Sequence, residues 1–206
     1  MTDATAARRW HRGVDRETIV DAAMRILDED GLDALTMRRL ASDLDVQAPS
    51  LYAHVHGKDD VLDLVVDRVL GTVAVPPPGG DPRTVLEAGF TAYRTALVGH
   101  PAVVGLVIAR PRLGRAQAGL IERALDALTA AGLSIRDAVD AQVTLAAYVL
   151  GFVAQETARR SAPVPAFEPG PRLAAALLAL AARPGDERFA IGLGRVLDGV
   201  GVVRRR

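Results

Sequence analysis

The sequence contains no cysteine among its 206 residues. This absence excludes a disulfide framework, a thiolate metal site and a cysteine nucleophile, and it suits a reducing cytoplasm. No apolar run reaches the roughly 18 residues that a membrane span requires, and the N-terminal residues lack the apolar core of a signal peptide. We therefore expect a cytoplasmic protein with one large domain or two small ones.

The chain has no excess charge of either sign, because 25 Lys and Arg residues balance 25 Asp and Glu residues. Its net charge therefore gives no argument for a polyanionic partner. Residues 1–60 even carry eight basic against twelve acidic residues, a net charge of −4. If this part contacts nucleic acid, the contact must depend on the local placement of charge.

No stretch shows the alternation of a β-strand between hairpin turns, and no internal repeat is present. Apolar residues recur instead at helical spacing, so the sequence predicts an all-α protein. The Pro-Gly run at 76–80 is the clearest internal boundary. Beyond this run we predict helices over residues 82–99, 101–109, 114–131, 135–160, 170–182 and 186–202.

Shorter helices precede the Pro-Gly run. Asp15 is placed to cap a helix that ends near Gly31. Thr36 begins a second helix, a break follows at 45–47, and a third, very short helix runs to about His54. Another helix then continues to near the Pro-Gly run. Two short helices joined by such a turn form a helix-turn-helix, whose second helix can lie in the major groove of DNA.

Spacing alone fits two interpretations of this segment, a DNA-binding motif and a plain helical hairpin with a solvated polar face. The residues expected to pack the two helices together are Leu40, Ala41, Leu44, Val46 and Leu51. The side chains left to point elsewhere belong to Arg38, Gln47, Ala48, Ser50, Tyr52 and His54. His54 and His56 form a His-x-His pair, but no further ligand lies nearby, so neither a metal nor a cofactor is expected.

The stretch LTMRRLASDLDVQAPSLYAHVHGKDDVLD, residues 35–63, resembles the N-terminal motif of TetR-type transcriptional repressors. It has the Leu-Tyr-x-His-Val core of that motif and the lysine that opens the next helix. The stretches GLSIRDAVDAQVTLAAYVLGFVAQE and RFAIGLGRVLDGV resemble the C-terminal region of the tetracycline-repressor branch. The resemblance implies an N-terminal three-helix helix-turn-helix DNA-binding domain and a C-terminal helical ligand-binding and dimerisation domain.

From this resemblance we expect a flexible arm at residues 1–14, the DNA-binding domain at 15–60 and the regulatory and dimerisation domain at 61–206. The expected function is a DNA-binding transcriptional regulator, a repressor that a small, largely apolar ligand releases from its operator. A DNA-binding regulator without small-molecule input is the alternative. An enzyme is not expected, because the sequence has no nucleophile elbow, phosphate-binding glycine loop or paired metal-ligand motif.

The resemblance also implies two sets of DNA contacts. The residues expected to face bases are Arg38, Gln47, Ala48 and Ser50, and those expected to hold phosphates are Thr36, Tyr52, His54 and Lys58. Arginine can donate twice to guanine and glutamine can pair with adenine, whereas hydroxyls and a lysine suit phosphate oxygens. Asp45 departs from the family, which usually has glycine in the turn, and aspartate tolerates the left-handed conformation at some cost.

The resemblance gives no support for tetracycline as the ligand. Tetracycline-binding members hold the drug and its magnesium with two histidines and a threonine, where this chain has Leu106, Ala109 and Ala147. The residues expected to line an apolar cavity instead are Phe90, Tyr93, Leu106, Ala109, Tyr148 and Phe152, with Arg110 and Gln155 as polar contacts. Each of them also suits an ordinary core position.

A homodimer is implied as well, because two recognition helices must reach palindromic half-sites about 34 Å apart. Two apolar helix faces are the expected interface, formed by Ala141, Leu145, Tyr148, Val149, Phe152 and Val153 and by Phe189, Leu193, Val196 and Leu197. The alternative is that both faces are buried within the subunit.

Overall fold

The computed structural model of the chain describes residues 14–77, 79–109, 112–160 and 167–203. Over these ranges the regular structure is helical, without a β-strand, which confirms the all-α prediction. Most of the expected N-terminal arm lies outside the described residues, and so does Arg110. The chain divides into two compact units, residues 1–68 and 69–206.

The helices of the first unit begin and end at local signals in the sequence. They are α1 (Arg16–Asp30), α2 (Met37–Asp43), α3 (Ala48–Tyr52) and most of α4 (Lys58–Gly71), whose last residues belong to the second unit, with a 3₁₀ turn at Leu32–Ala34. The Asp15 carboxylate accepts the Thr18 N–H at 2.8 Å and caps α1 as predicted. Gly31 follows α1 with a left-handed φ of 81°.

The fourth helix is shorter than predicted. It ends at Gly71 and does not reach the Pro-Gly run at 76–80. Beyond Gly71, the N–H groups of Thr72 and Val73 donate to carbonyls only three residues back, at 3.2 Å each. β-Branched residues and Pro76 then follow, and neither favours continuation of a helix.

The core of the first unit consists of aliphatic side chains from all four helices. Of the five residues expected to pack α2 against α3, Leu40, Ala41 and Leu51 are buried and the other two are half-buried. The remaining buried residues include Ile19, Val20, Ala23, Ile26, Leu27, Leu35, Val55, Val61 and Val65. Leu51 is the only buried residue of α3, so this helix packs on the rest of the unit through one side.

The turn between α2 and α3 contains Asp45 in a left-handed conformation, with φ of 54°. The Val46 N–H donates to the Ala41 carbonyl at 3.0 Å, and the Asp45 N–H donates to the Ser42 carbonyl at 3.1 Å. These two bonds form a Schellman motif, which usually has glycine at the left-handed position. Aspartate in place of glycine at position 45 therefore leaves the turn intact, at the conformational cost that a non-glycine residue has in the left-handed region.

The second unit is built around one long helix. Its helices are α5 (Pro82–Gly99), α6 (Pro101–Ala109), α7 (Arg115–Ala130), α8 (Ile135–Arg160), α9 (Pro171–Ala182) and α10 (Gly185–Gly199). All six predicted helices are present, with ends that differ by at most a few residues. Helix α8 packs against α5, α6, α7 and α10. Its buried residues recur every three or four positions, at Ala138, Ala141, Leu145, Val149 and Val153.

Helix α8 is also long and apolar enough, over residues 135–159, to meet the length and composition expected of a membrane-spanning helix. The sequence prediction considered only uninterrupted apolar runs, whereas α8 combines apolar residues with a few charges. A core helix has the same composition, and packing against four neighbouring helices gives α8 that role. This length and composition are therefore weak evidence for a membrane span.

Two buried arginines connect α5 to the other helices of this unit. Arg83 donates to the carboxylates of Glu87 and Asp198 and to the carbonyl of Val202. Arg94 donates to Glu156 at 2.8 Å and to Asp186 at 2.7 Å. Burial lowers the pKa of each arginine, but the bonds to carboxylates outweigh it, so each pKa is raised. Both guanidinium groups therefore stay charged inside the unit.

Most of the residues expected to form a dimer interface are buried inside the subunit. These are Ala141, Leu145, Val149, Val153, Phe189, Leu193 and Leu197, while Tyr148, Phe152 and Val196 are half-buried. The wide apolar face of α8 is already covered because four helices of the same chain pack on it. What α8 leaves exposed is a different stripe, formed by Ile135, Val139 and Val143 at a spacing of four residues.

Candidate nucleic-acid interface and effector cavity

Helix α3 presents most of its side chains to solvent. Gln47 precedes it in an extended conformation, and Pro49 lies in its first turn, where a missing N–H is tolerated. Gln47, Ser50 and Tyr52 are exposed, and Ala48 is half-buried. The Tyr52 side chain is 53% exposed, although a tyrosine usually finds apolar contacts. The predicted recognition helix thus offers its polar side chains to a partner.

Adjacent arginines in α2 differ in their partners. Arg39 donates to Asp43 at 2.9 Å and to Asp30 at 3.1 Å, and the hydrogen bond to Asp43 is the main cause of its raised pKa. Arg38 is exposed, and no carboxylate among the described residues lies within ion-pair distance of it. Arg38 therefore keeps its full set of donors for a base edge, whereas Arg39 is committed within the unit.

Three of the four expected phosphate contacts already take part in hydrogen bonds of the unit. The Thr36 hydroxyl accepts the Arg39 N–H at 3.0 Å, which leaves its own proton to donate. The Lys58 ammonium donates to the Leu32 carbonyl at 3.1 Å, which leaves two N–H groups. The half-buried His54 accepts from Arg16 through its carbonyl at 2.9 Å, so its ring remains available.

Seven of the eight residues expected to contact DNA lie in α2, in α3 or within two residues of their ends, and the eighth, Lys58, begins α4. Their individual roles stay a prediction.

His56 is exposed, and its backbone N–H donates to the Asp60 carboxylate at 2.9 Å. In the described part of the chain, no group of three or more His, Asp or Glu side chains is arranged as a metal site.

A cavity of about 170 Å³ lies within the second unit. Helices α5, α7 and α8 form most of its wall. Helix α5 contributes Val85, Leu86, Gly89, Phe90 and Tyr93, α7 contributes Gln117, Leu120, Ile121, Arg123 and Ala124, and α8 contributes Gln142, Ala146 and Leu150, with Leu70, Val75 and Val107 completing the wall. An apolar wall with a few polar groups is typical of a small-molecule site.

Polar groups in this wall are few and specific. Burial raises the pKa of Tyr93 to about 12, so its phenol keeps its proton at physiological pH. One terminal nitrogen of Arg123 donates to the carbonyl of Pro76. Gln117 and Gln142 supply the remaining polar side chains.

The structure brings only some of the expected ligand-binding residues to the cavity. Phe90 and Tyr93 are in the wall. Leu106 is buried outside the wall, Ala109 is exposed, and Gln155 is exposed and accepts a hydrogen bond from Arg159 at 3.2 Å. Sequence reasoning missed Gln117, Arg123 and Gln142. Each of them lies beside apolar residues on its own helix, but this signal does not tell which side of α7 or α8 faces a cavity.

Tyr148 and Phe152 belong to an aromatic cluster and not to the cavity wall. Their ring centroids lie 5.4 Å and 5.2 Å from that of Phe189, and the Tyr148 hydroxyl donates to the Phe189 carbonyl at 2.9 Å. That hydroxyl takes up the space beside Gly192, where an added Cβ would lie 2.1 Å from its oxygen. With about 3.6 residues per turn, these rings project from the side of α8 opposite to Gln142, Ala146 and Leu150.

An exposed helix after a short turn, together with a separate helical unit that contains an open cavity, is typical of ligand-responsive helix-turn-helix regulators. Comparison with known protein families shows which family of this class the chain matches. Residues 19–65 match the family described as bacterial regulatory proteins, tetR family, and residues 76–204 match the tetracyclin repressor-like, C-terminal domain. The chain belongs to the TetR family of transcriptional regulators.

A curated relative agrees with this assignment. The chain is 39% identical over 146 residues to an HTH-type transcriptional regulator of Saccharopolyspora erythraea, a match that covers 70% of this chain and 62% of that protein. The chain therefore spans less than two thirds of this curated relative.

Two solved structures are similar to nearly the whole chain. The Streptomyces coelicolor TetR family protein ActR in complex with actinorhodin has a TM-score of 0.78 at 30% identity, over 92% of this chain and 96% of that chain. BioQ with its natural double-stranded DNA operator has a TM-score of 0.71 at 30% identity, over 92% of this chain and 99% of that chain.

Proposed function

We propose that this protein is a transcriptional repressor of the cytoplasm, which binds a palindromic operator as a homodimer and leaves it when a small, largely apolar molecule fills the cavity. The observation that carries the proposal is the contrast between Arg38 and Arg39 beside an exposed α3. Arg39 is neutralised by two carboxylates of the unit. Arg38 is exposed and has no carboxylate partner among the described residues, so its charge stays available to another molecule.

The first unit can bind DNA in spite of its acidic composition, because its cations are placed locally. Arg38 and Gln47 suit guanine and adenine edges, Ser50 suits either, and Ala48 suits a thymine methyl group. Thr36, Tyr52, His54 and Lys58 then hold the backbone and fix the register. BioQ, which is similar over nearly its whole length, is recorded with a DNA operator, and this supports the assignment.

Dimerisation follows from the reading of a palindrome, since one α3 covers one half-site. The exposed stripe of Ile135, Val139 and Val143 gives a second copy an apolar surface. Contact along α8 would bury this stripe without disturbing the core on the other side of the helix. The proposed interface therefore consists of side chains other than those expected from the sequence.

Release by a small molecule is favoured over a regulator without such input because the cavity has a mixed wall. A ligand can shift the operator equilibrium only by binding the DNA-incompetent arrangement more tightly than the competent one. ActR, a similar structure, is recorded with the small molecule actinorhodin. A corresponding role for this cavity is the simplest use of the space in the second unit.

The experiment that tests this function is selection of operator fragments from a random DNA pool by the purified full chain. We expect a palindrome with half-sites about 34 Å apart and a complex that contains two copies of the chain. A matched variant, Arg38→Ala with Gln47→Ala, should not enrich the same sequence. Enrichment of no sequence, or of the same sequence by the variant, would contradict the proposal.

A further inference from the structure

We propose that the molecule bound in the cavity is an amphipathic anion, a carboxylate on an apolar body of one or two rings, with Arg123 as the partner of the carboxylate. This inference rests on the proposed function, since it names the chemistry of the effector. A volume of about 170 Å³ accommodates one ring, because a cavity of about 150 Å³ is enough for a benzene molecule, and a second ring would extend into the open side of the cavity.

The charges of the wall are of one sign. Among the described residues that line it, Arg123 carries a charge, and none is Asp or Glu. Its guanidinium group donates to the Pro76 carbonyl, next to Val75, which is itself in the wall. The head of the side chain is therefore held at the edge of the cavity, and a cationic ligand would meet no opposite charge there.

The pairing of Arg123 differs from that of the two buried arginines of the same unit. Arg83 and Arg94 each contact two carboxylates of the chain. No carboxylate among the described residues lies within ion-pair distance of Arg123, although it is half-buried. An inward guanidinium group usually has such a partner, because leaving the charge unpaired is costly. At this position the ligand can provide it.

Neutral donors complete the site. The hydroxyl of Tyr93 and the amides of Gln117 and Gln142 have no hydrogen-bond partner among the described residues, yet all three groups belong to the cavity wall. Each of them can donate to a carboxylate oxygen, since a tyrosine is protonated at neutral pH, and burial raises the pKa of Tyr93 further, to about 12. A pure hydrocarbon would offer no hydrogen-bond acceptor to these groups or to the remaining donors of Arg123.

Three probes with the same two-ring body test the inference by calorimetric titration of the full chain: 1-naphthoate, 1-naphthamide and 1-naphthylmethylammonium. We expect the carboxylate to bind about tenfold or more tightly than the neutral amide, as a charge-assisted hydrogen bond provides, and the cation to bind most weakly. Equal or tighter binding of the amide or the cation would overturn the proposal. So would the failure of all three probes to bind.

Two variants at position 123 assign the effect to this side chain. Arg123→Gln should weaken 1-naphthoate about tenfold and change 1-naphthamide less than about threefold, while Arg123→Lys should keep most of the preference. Arg136→Gln removes the same charge from an exposed position outside the wall and should change neither probe. If Arg123→Gln weakened both probes equally, its role would be structural, and the inference would fail.

Operator release separates this inference from the function on which it rests. If 1-naphthamide released the selected operator and 1-naphthoate did not, the protein would still be a ligand-responsive repressor, but its effector would not be an anion. If the protein selected no operator while 1-naphthoate bound with the expected preference, the proposed function would fail and the anion site would stand.

Discussion

Replacement of Arg94 by methionine should cost the protein about 3 to 5 kcal/mol of unfolding free energy. Arg94 is buried and donates to Glu156 at 2.8 Å and to Asp186 at 2.7 Å. Its guanidinium carbon also lies 5.5 Å and 5.1 Å from the ring centroids of Phe152 and Phe189. The single variant removes all these contacts at once and leaves the Glu156 carboxylate, which is 14% exposed, without its cation.

The magnitude comes mainly from Glu156. Asp186 is 88% exposed, so its ion pair contributes at most about 1 kcal/mol. The two cation–π contacts contribute about 1 kcal/mol each at most, and methionine restores part of the lost packing. An uncompensated buried carboxylate is the larger cost, and the double variant Arg94→Met with Glu156→Leu removes it. That variant should therefore recover about 2 kcal/mol or more relative to Arg94→Met.

Urea denaturation at a fixed protein concentration, followed by circular dichroism, measures both variants. Asp186→Asn is the matched control and should cost less than about 1 kcal/mol. The reasoning would be refuted if Arg94→Met were as stable as the native chain, or if the double variant were no more stable than the single one.

Four further predictions concern the two sites. Lys58→Ala should weaken operator binding on every sequence and lower the salt slope of the binding constant by about one unit, because one phosphate contact is lost; an unchanged slope would remove Lys58 from that role. Arg38→Ala or Gln47→Ala should relax preference at one symmetric pair of positions by about 1 to 3 kcal/mol in competition with altered operators, whereas a uniform loss would place the residue on the backbone. Asp45→Gly should raise stability to urea by roughly 1 kcal/mol through relief of the left-handed strain, and Asp45→Ala, which keeps the strain, should not. Tetracycline with magnesium should leave the operator bound in a mobility-shift titration, because positions 106, 109 and 147 offer no side-chain ligand, and release at micromolar drug would contradict this.

Elements set by neighbouring residues could be predicted from the sequence, because their signals are local. Asp15 and Thr36 cap the starts of α1 and α2 by hydrogen bonds to residues three positions later. The turn at Asp45 is closed by hydrogen bonds between residues three and five positions apart. The resemblance to the family then located the segment expected to bind DNA.

The rotation of the long helices could not be predicted in the same way. Which side of α8 faces the cavity depends on α5 and α7, far away in the sequence, and on how much apolar surface they cover. The sequence alone therefore suggested Tyr148 and Phe152 as cavity residues, whereas in the structure Gln142 is the polar residue of α8 in the wall. Arg123 was overlooked because a charged residue on an amphipathic helix is usually solvated, and only the fold shows it beside Pro76.

The contact between the Tyr148 hydroxyl and Gly192 limits how this chain can evolve. Any side chain at position 192 would have to displace a phenol that occupies the space of its Cβ. Position 192 can therefore gain a side chain only if the residue at position 148 moves or becomes smaller. Among related sequences we expect the two to vary together, with glycine retained opposite tyrosine and larger residues at 192 accompanied by a smaller one at 148. Such paired variation would trace the packing of α8 against α10 through the evolution of the family.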